Sequence, residues 1–203
     1  MLKHVARQTA LWISIIALTY SYGCILSPQE DPAPPDNNEP AEFMDLTEKE
    51  HVIINLELAY AERNIAEFSK LLLKVDDTYN GSTYADGYYF YNQDIDTDLE
   101  EFILRDQEIA LTGNLFLAAQ GTPAKPDHQV LDDLTLEIGD GSWMAVTEIF
   151  GEPCEDCWYT QRSYELWIYF GEDKKFADDN IQFYIVPVDE GDKTIYKIAI
   201  ARD

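Results

Sequence analysis

The sequence predicts an α+β domain in which a helical half is followed by an antiparallel sheet half. Three observations carry this reading. A capped, strongly apolar helical run starts at Thr47. Beyond Gly121 the apolar spacing changes to the alternation of strands. Five strand-like segments then follow one another, each closed by turn residues.

Thr47-Glu48-Lys49-Glu50 has the form of a capping box, with Thr47 and Glu50 positioned to satisfy each other's free backbone donors. The helix that follows carries Val52, Ile53, Ile54, Leu56, Leu58, Ala59, Tyr60 and Ala61, so most of its circumference must be covered. Asn64, with Glu67 three residues on, ends this run and caps a shorter helix whose apolar side is Ile65, Phe68, Leu71 and Leu72, closed by Asp76-Asp77. After a loop containing Asn80-Gly81, Tyr88-Tyr89-Phe90-Tyr91 reads as a short aromatic strand. A third helix is expected between Asp98 and Leu117, with Phe102, Ile109, Leu115 and Phe116 facing inward.

The sheet half comprises Val130 to Ile138, Ser142 to Phe150, Trp158 to Phe170, Asn180 to Val188 and Thr194 to Ala201. They are divided by Gly139-Asp140-Gly141, a cysteine loop, Gly171 to Asp179, and Asp189 to Asp192. In the last strand Tyr196, Ile198 and Ile200 alternate with Lys197, Ala199 and Ala201, which predicts one core face and one wetter face.

Residues 1–23 read as an export signal: Lys3 and Arg7 form a positive start, and Leu11 to Leu18 form an apolar core too short to span a bilayer. Ser21-Tyr22-Gly23-Cys24 resembles the bacterial lipobox in Gly23 and Cys24, while Ser21 stands where an aliphatic residue is usual. That resemblance implies a lipid-bearing Cys24 as the first mature residue, anchoring the chain to the bacterial cell envelope. Ile25 in place of an aspartate implies the outer membrane. Residues 24–43 are then a tether, holding Pro28, Pro32, Pro34, Pro35 and Pro40 among five acids, a composition that cannot build a core. Residues 44–203, about 160 in number, suffice for one domain.

The order of a long buried helix, a short helix, an aromatic strand, a third helix and a meander ending in Tyr196-Lys197-Ile198-Ala199 resembles the nuclear transport factor 2-like superfamily, which includes the SnoaL-like domains. The resemblance covers about Leu46 to Asp203 and rests on element order. It implies a cone-shaped α+β fold, with helices packed on a curved antiparallel sheet and an apolar mouth between them. It also implies that the exposed sheet face can serve a homodimer. Tyr60, Tyr88, Phe90, Trp143, Trp167 and Tyr184 are the aromatic candidates for the walls of such a pocket.

Charge excludes some partners. The chain has 39 acidic and 14 basic residues, a formal net charge of −25, and residues 1–23 hold two of the bases and none of the acids. A surface this negative repels phosphates, so no nucleic acid is expected as a partner. Cys154 and Cys157 fit a small structural disulfide in an oxidising compartment. Glu155 and Asp156 between them disfavour a reactive thiolate, and two mature histidines, His51 and His128, are too few for an ordinary zinc site. Asp94, Asp96 and Asp98 start like a calcium loop, but Leu99 and Arg105 occupy positions where glycine and glutamate belong. No metal or cofactor is therefore expected.

No residue set forms a catalytic signature. Tyr60, Asp106 and His128 are conceivable acid–base members, and none takes a catalytic role. The leading expectation is a non-enzymatic module binding a small apolar ligand or an envelope protein partner. The alternatives are a cyclase- or isomerase-type enzyme using a carboxylate in the cone, and a structural assembly module with a filled interior.

Overall fold

A computed structural model describes residues 42–91, 102–123 and 130–202. Cys24, Asp94, Asp96, Asp98 and His128 lie outside the described residues. Three helices are present among them: α1 (Lys49–Ala61), α2 (Ile65–Leu71) and α3 (Arg105–Ala119). The strands are β1 (Thr78–Tyr79), β2 (Ser82–Thr83), β3 (Tyr89–Tyr91), β4 (Phe102–Leu104), β5 (Asp133–Ile138), β6 (Met144–Ile149), β7 (Glu152–Phe170), β8 (Asp173–Glu190) and β9 (Lys193–Arg202). Helices on a largely antiparallel sheet make the expected α+β class.

The main sheet runs β4-β3-β9-β8-β7-β5, with β6 also paired to β7, and β3 to β9 is its parallel contact. Helix α1 meets both β5 and β9. These strands are three spacings apart, about 14 Å, more than the 10–12 Å width of a helix. The sheet therefore bends around α1, and from His51 to Tyr60 every residue of that helix is at least half covered.

The start of α1 differs from the capping box. Its cap is Glu48, without a side-chain bond. Glu50 instead takes the Arg162 guanidinium at 2.8 and 2.6 Å and the Trp143 indole at 3.0 Å. A forked, charge-assisted pair outcompetes a single capping bond. The preceding segment is fixed by Asn55, whose side chain accepts from the Met44 amide at 2.8 Å and donates to its carbonyl at 2.7 Å. Asn64 does cap α2, accepting from the Glu67 amide at 3.1 Å. In α3, Phe116 is buried, but Phe102 precedes the helix, in β4, and is exposed.

Strands β7 and β8 are much longer than expected. Gly171 to Asp179 is not a loop: Gly171-Glu172 alone makes the turn, and Phe170 pairs with Asp173. Gly171 and Gly191, at φ 63° and 67°, each take the first position of a two-residue hairpin turn. Asn80-Gly81, at φ 50° and 76°, joins β1 to β2 as a hairpin.

The cysteine segment is likewise not a connection between strands. Val146 pairs with Cys157 and Glu148 with Pro153, so three residues of β7 oppose one of β6. Cys154 and Cys157 are disulfide-bonded across this bulge. Two additional residues leave the alternation of β7 in phase, so Pro153 and Cys157, on either side of the bulge, keep to the same side.

A bulge of one residue has the opposite effect on β9. Tyr184 pairs with Ile200 and Ile185 with Ile198, leaving Ala199 additional. The single insertion switches faces: Ala201 and Ile198 enter the inner core, whereas Ile195 and Ala199 enter a second core on the other side. Neither face of β9 is wet. The freed Ile198 carbonyl accepts from the Leu73 amide at 2.9 Å. Lys197, 6 % exposed, pairs with Asp77 at 2.8 Å.

Candidate functional site

Between the inner sheet face and the helices lies an apolar cavity of about 210 Å³. Leu56 and Tyr60 of α1 form one wall, Tyr164, Leu166 and Phe183 of β7 and β8 another, and Phe90 of β3 a third. The lining contains one carboxylic acid, Glu108 of α3. At roughly 30 Å³ per water, the volume corresponds to about seven waters.

Glu108 is placed by helical spacing. Glu108, Thr112 and Phe116 recur every four residues and share one stripe of α3, and Thr112 and Phe116 are buried. Burial raises the Glu108 carboxyl above its ordinary 4.5, opposed by the hydroxyl of Thr112, which donates to Oε1 at 3.1 Å. Thr112 also shares a hydrogen bond with the Tyr60 phenol. Burial, reinforced by the nearby Glu108, pushes that phenol far above its ordinary range. The Tyr60 ring meets Phe68 and Phe116 edge-on, at 6.1 and 5.1 Å between centroids, which fixes the phenol at the cavity wall. Glu108, its carboxyl raised by burial, and three tyrosines, Tyr60, Tyr88 and Tyr164, thus line an otherwise apolar space. Such a set can hydrogen-bond one polar group of a small ligand, or exchange a proton with it.

Of the six aromatic candidates, Tyr60, Tyr88 and Phe90 line this cavity. The other three lie elsewhere. Trp143 donates to Glu50, with the Arg162 guanidinium 5.3 Å from its ring. Trp167 packs on the opposite sheet face against Phe176 and Tyr169, at 4.0 and 6.2 Å. Tyr184 pairs with Tyr159 at 4.9 Å on that same face. Asp106 has a 95 % exposed side chain beside Arg105 and does not reach the cavity.

Glu108 is the residue that sequence reading missed. Its signal was available as a carboxylate four and eight residues before Thr112 and Phe116, on the apolar stripe of a predicted helix. Among the described residues no group of three or more His, Cys, Asp or Glu is placed to hold a metal ion, and no helix is long and apolar enough to cross a membrane.

A larger groove, about 910 Å³, lies between the β1–β2 hairpin on one side and β6 with the start of β7 on the other. The disulfide forms part of its floor.

No protein-family model and no curated protein sequence matches the chain. Solved structures of similar shape exist. One is the beta subunit of benzoate 1,2-dioxygenase from Burkholderia mallei ATCC 23344, at 10 % identity over 80 % of this chain and 91 % of that one, with a TM-score of 0.49. A second, from Streptomyces avermitilis, is an NTF2-like family member described as a dehydratase, at 8 % identity over 74 % and 89 %, with a TM-score of 0.47. A third is a conserved protein from Planctomyces limnophilus DSM 3776, at 9 % identity over 76 % and 90 %, with a TM-score of 0.46. The chain is similar to NTF2-like structures. Likeness at this level concerns shape, and the α+β assignment stands on the strand pairing described above.

Proposed function

We propose that the protein is an envelope lipoprotein, anchored through Cys24, whose folded domain binds a small, mainly apolar molecule carrying one hydrogen-bonding group. The cavity that admits Glu108 among apolar side chains carries this reading. Apolar walls supply affinity through burial, and Glu108 with Tyr60 supplies orientation. The size favours a single aromatic or alicyclic ring over a fused system.

Calorimetric titration with phenol and with benzene tests the binding. Phenol should bind saturably and more tightly than benzene, and Glu108→Leu should erase that preference while leaving benzene binding intact. Absence of saturable binding by both compounds at millimolar concentration refutes the reading. For the anchor, intact-mass analysis of the membrane fraction should find a mature chain starting at an acylated Cys24, and Cys24→Ala should move the protein to the soluble fraction. A mature chain that begins elsewhere and carries no acyl mass refutes it.

The raised Glu108 carboxyl beside the Tyr60 phenol favours a second reading, acid–base chemistry in the same cavity. Protein-dependent exchange of the α-deuterons of cyclohexanone, abolished by Glu108→Gln, distinguishes that activity from binding alone.

A further inference from the structure

The large groove on the other side of the sheet is chemically unlike the cavity. Its lining includes Asp86, Glu152, Glu155 and Asp156 and contains no lysine, arginine or histidine. Aromatic surface from Tyr79 and Phe150 and aliphatic surface from Val146 and Ile149 accompany these acids. The bulge stapled by Cys154 and Cys157 brings Asp156 to the groove, where it accepts from the Tyr79 hydroxyl at 2.9 Å.

One wall is also a strand with an open edge. Among the described residues β6 pairs with β7 alone. Its other edge is unpaired among the described residues, and Ala145, Val146, Thr147 and Ile149 of this strand line the groove; an unpaired edge is the arrangement to which an extended chain can add. Strand addition supplies affinity through main-chain bonds, and alternate side chains of the added strand supply specificity. Here the receiving surface is carboxylate and aromatic, which selects cations.

From these features we infer that the groove receives an extended, lysine- or arginine-bearing segment of a partner protein, added as a strand on the free edge of β6. The charge of the groove rejects the other occupants at hand. The tether of this chain carries Glu30, Asp31, Asp36 and Glu39, which the groove repels. A second copy would set Glu152, Glu155 and Asp156 against themselves. This inference stands apart from the cavity: either site can fail without the other.

The test uses the mature chain and two synthetic peptides, acetyl-KVKVKV-amide and acetyl-EVEVEV-amide, with affinity read by calorimetry and contacts by amide hydrogen exchange. The lysine peptide should bind and protect amides of β6, and the glutamate peptide should not bind. Glu152→Lys with Glu155→Lys, both exposed, should weaken the lysine peptide at least tenfold. The equally charged pair Asp178→Lys with Asp179→Lys, exposed on β8, should change it less than twofold. Equal weakening by the two pairs would reduce the effect to bulk charge and overturn the inference. So would protection located away from β6, no binding at millimolar peptide, or β6 protection that rises with protein concentration in the absence of peptide, which would make a second copy the occupant.

Discussion

Asp77→Ala should be among the most destabilising substitutions on this chain outside the apolar core. Lys197 is 6 % exposed, and its ammonium is 2.8 Å from Asp77 Oδ2. The same oxygen accepts from the Lys74 amide at 2.9 Å. Removing the carboxylate leaves a buried cation and an orphaned amide donor. Breaking a buried pair from one side costs about 3–5 kcal/mol, because the surviving charge stays in a poor solvent. At about 2–4 °C per kcal/mol for a chain of this size, the midpoint of thermal unfolding should fall by roughly 6–20 °C.

Lys197→Met is the informative contrast. Methionine retains much of the apolar stem in the second core, and the 15 % exposed Asp77 carboxylate keeps the Lys74 amide and some water. Its cost should be about 1–2 kcal/mol, in the range of a lost charged hydrogen bond. Urea denaturation of both single variants and the double variant at pH 7 measures the asymmetry. If Asp77→Ala costs less than about 1 kcal/mol, or no more than Lys197→Met, the desolvation argument fails.

Two carboxyls should shift stability with pH in opposite directions. Arg162, by hydrogen bond first, holds Glu50 below its ordinary 4.5, so its contribution is present above that value and lost as pH falls through the lower folded value; Glu50→Gln should remove this acid-side loss. Burial raises Glu108, whose contribution is complete below 4.5 and lost as pH rises through its folded value; denaturant titration should find Glu108→Gln more stable than the parent at pH 7 and equal to it at pH 3. Gly141→Ala should destabilise by about 1–3 kcal/mol, since the added methyl would sit 2.7 Å from Thr160 Oγ1 and 2.8 Å from the Gln161 carbonyl; a thermal melt within 1 °C of the parent would contradict this. Serine at both Cys154 and Cys157 should cost about 2 kcal/mol, weaken the lysine peptide and leave phenol affinity within twofold; equal loss at the two sites would show that the bulge also supports the cavity.

Local chemistry made some elements legible. Asn64 caps where expected, and α1 is covered almost all round because its apolar residues were distributed that way. Non-local competition hid others. The Thr47–Glu50 box fails because Arg162, 112 residues from Glu50, arrives to claim the carboxylate. The charged run Asp173 to Asp179 looks like a loop, yet it is ordered strand because it pairs along the upper half of β7. Strand β9 pairs only with Gln182 to Glu190 of β8, so the charges of the earlier part keep a locally open edge soluble rather than marking an irregular segment.

The β9 bulge shows why alternation alone placed side chains wrongly. Before Ala199 and after it, successive residues still alternate, so a reader of period two sees one continuous strand. Pairing with β8 adds one residue and exchanges the faces. Ile200, expected with Ile198, goes to the second core, and Ala201 takes the inner position. In β7 two additional residues preserve the phase, and a disulfide closes the displaced segment. The same device thus has two outcomes set by parity. An odd insertion in β9 directs apolar residues to both faces, allowing a second core behind the sheet. An even insertion in β7 keeps the cavity wall of Tyr164 and Leu166 in phase while placing the acids of the bulge along the groove on the other side. Parity is how one strand serves two sites of opposite chemistry.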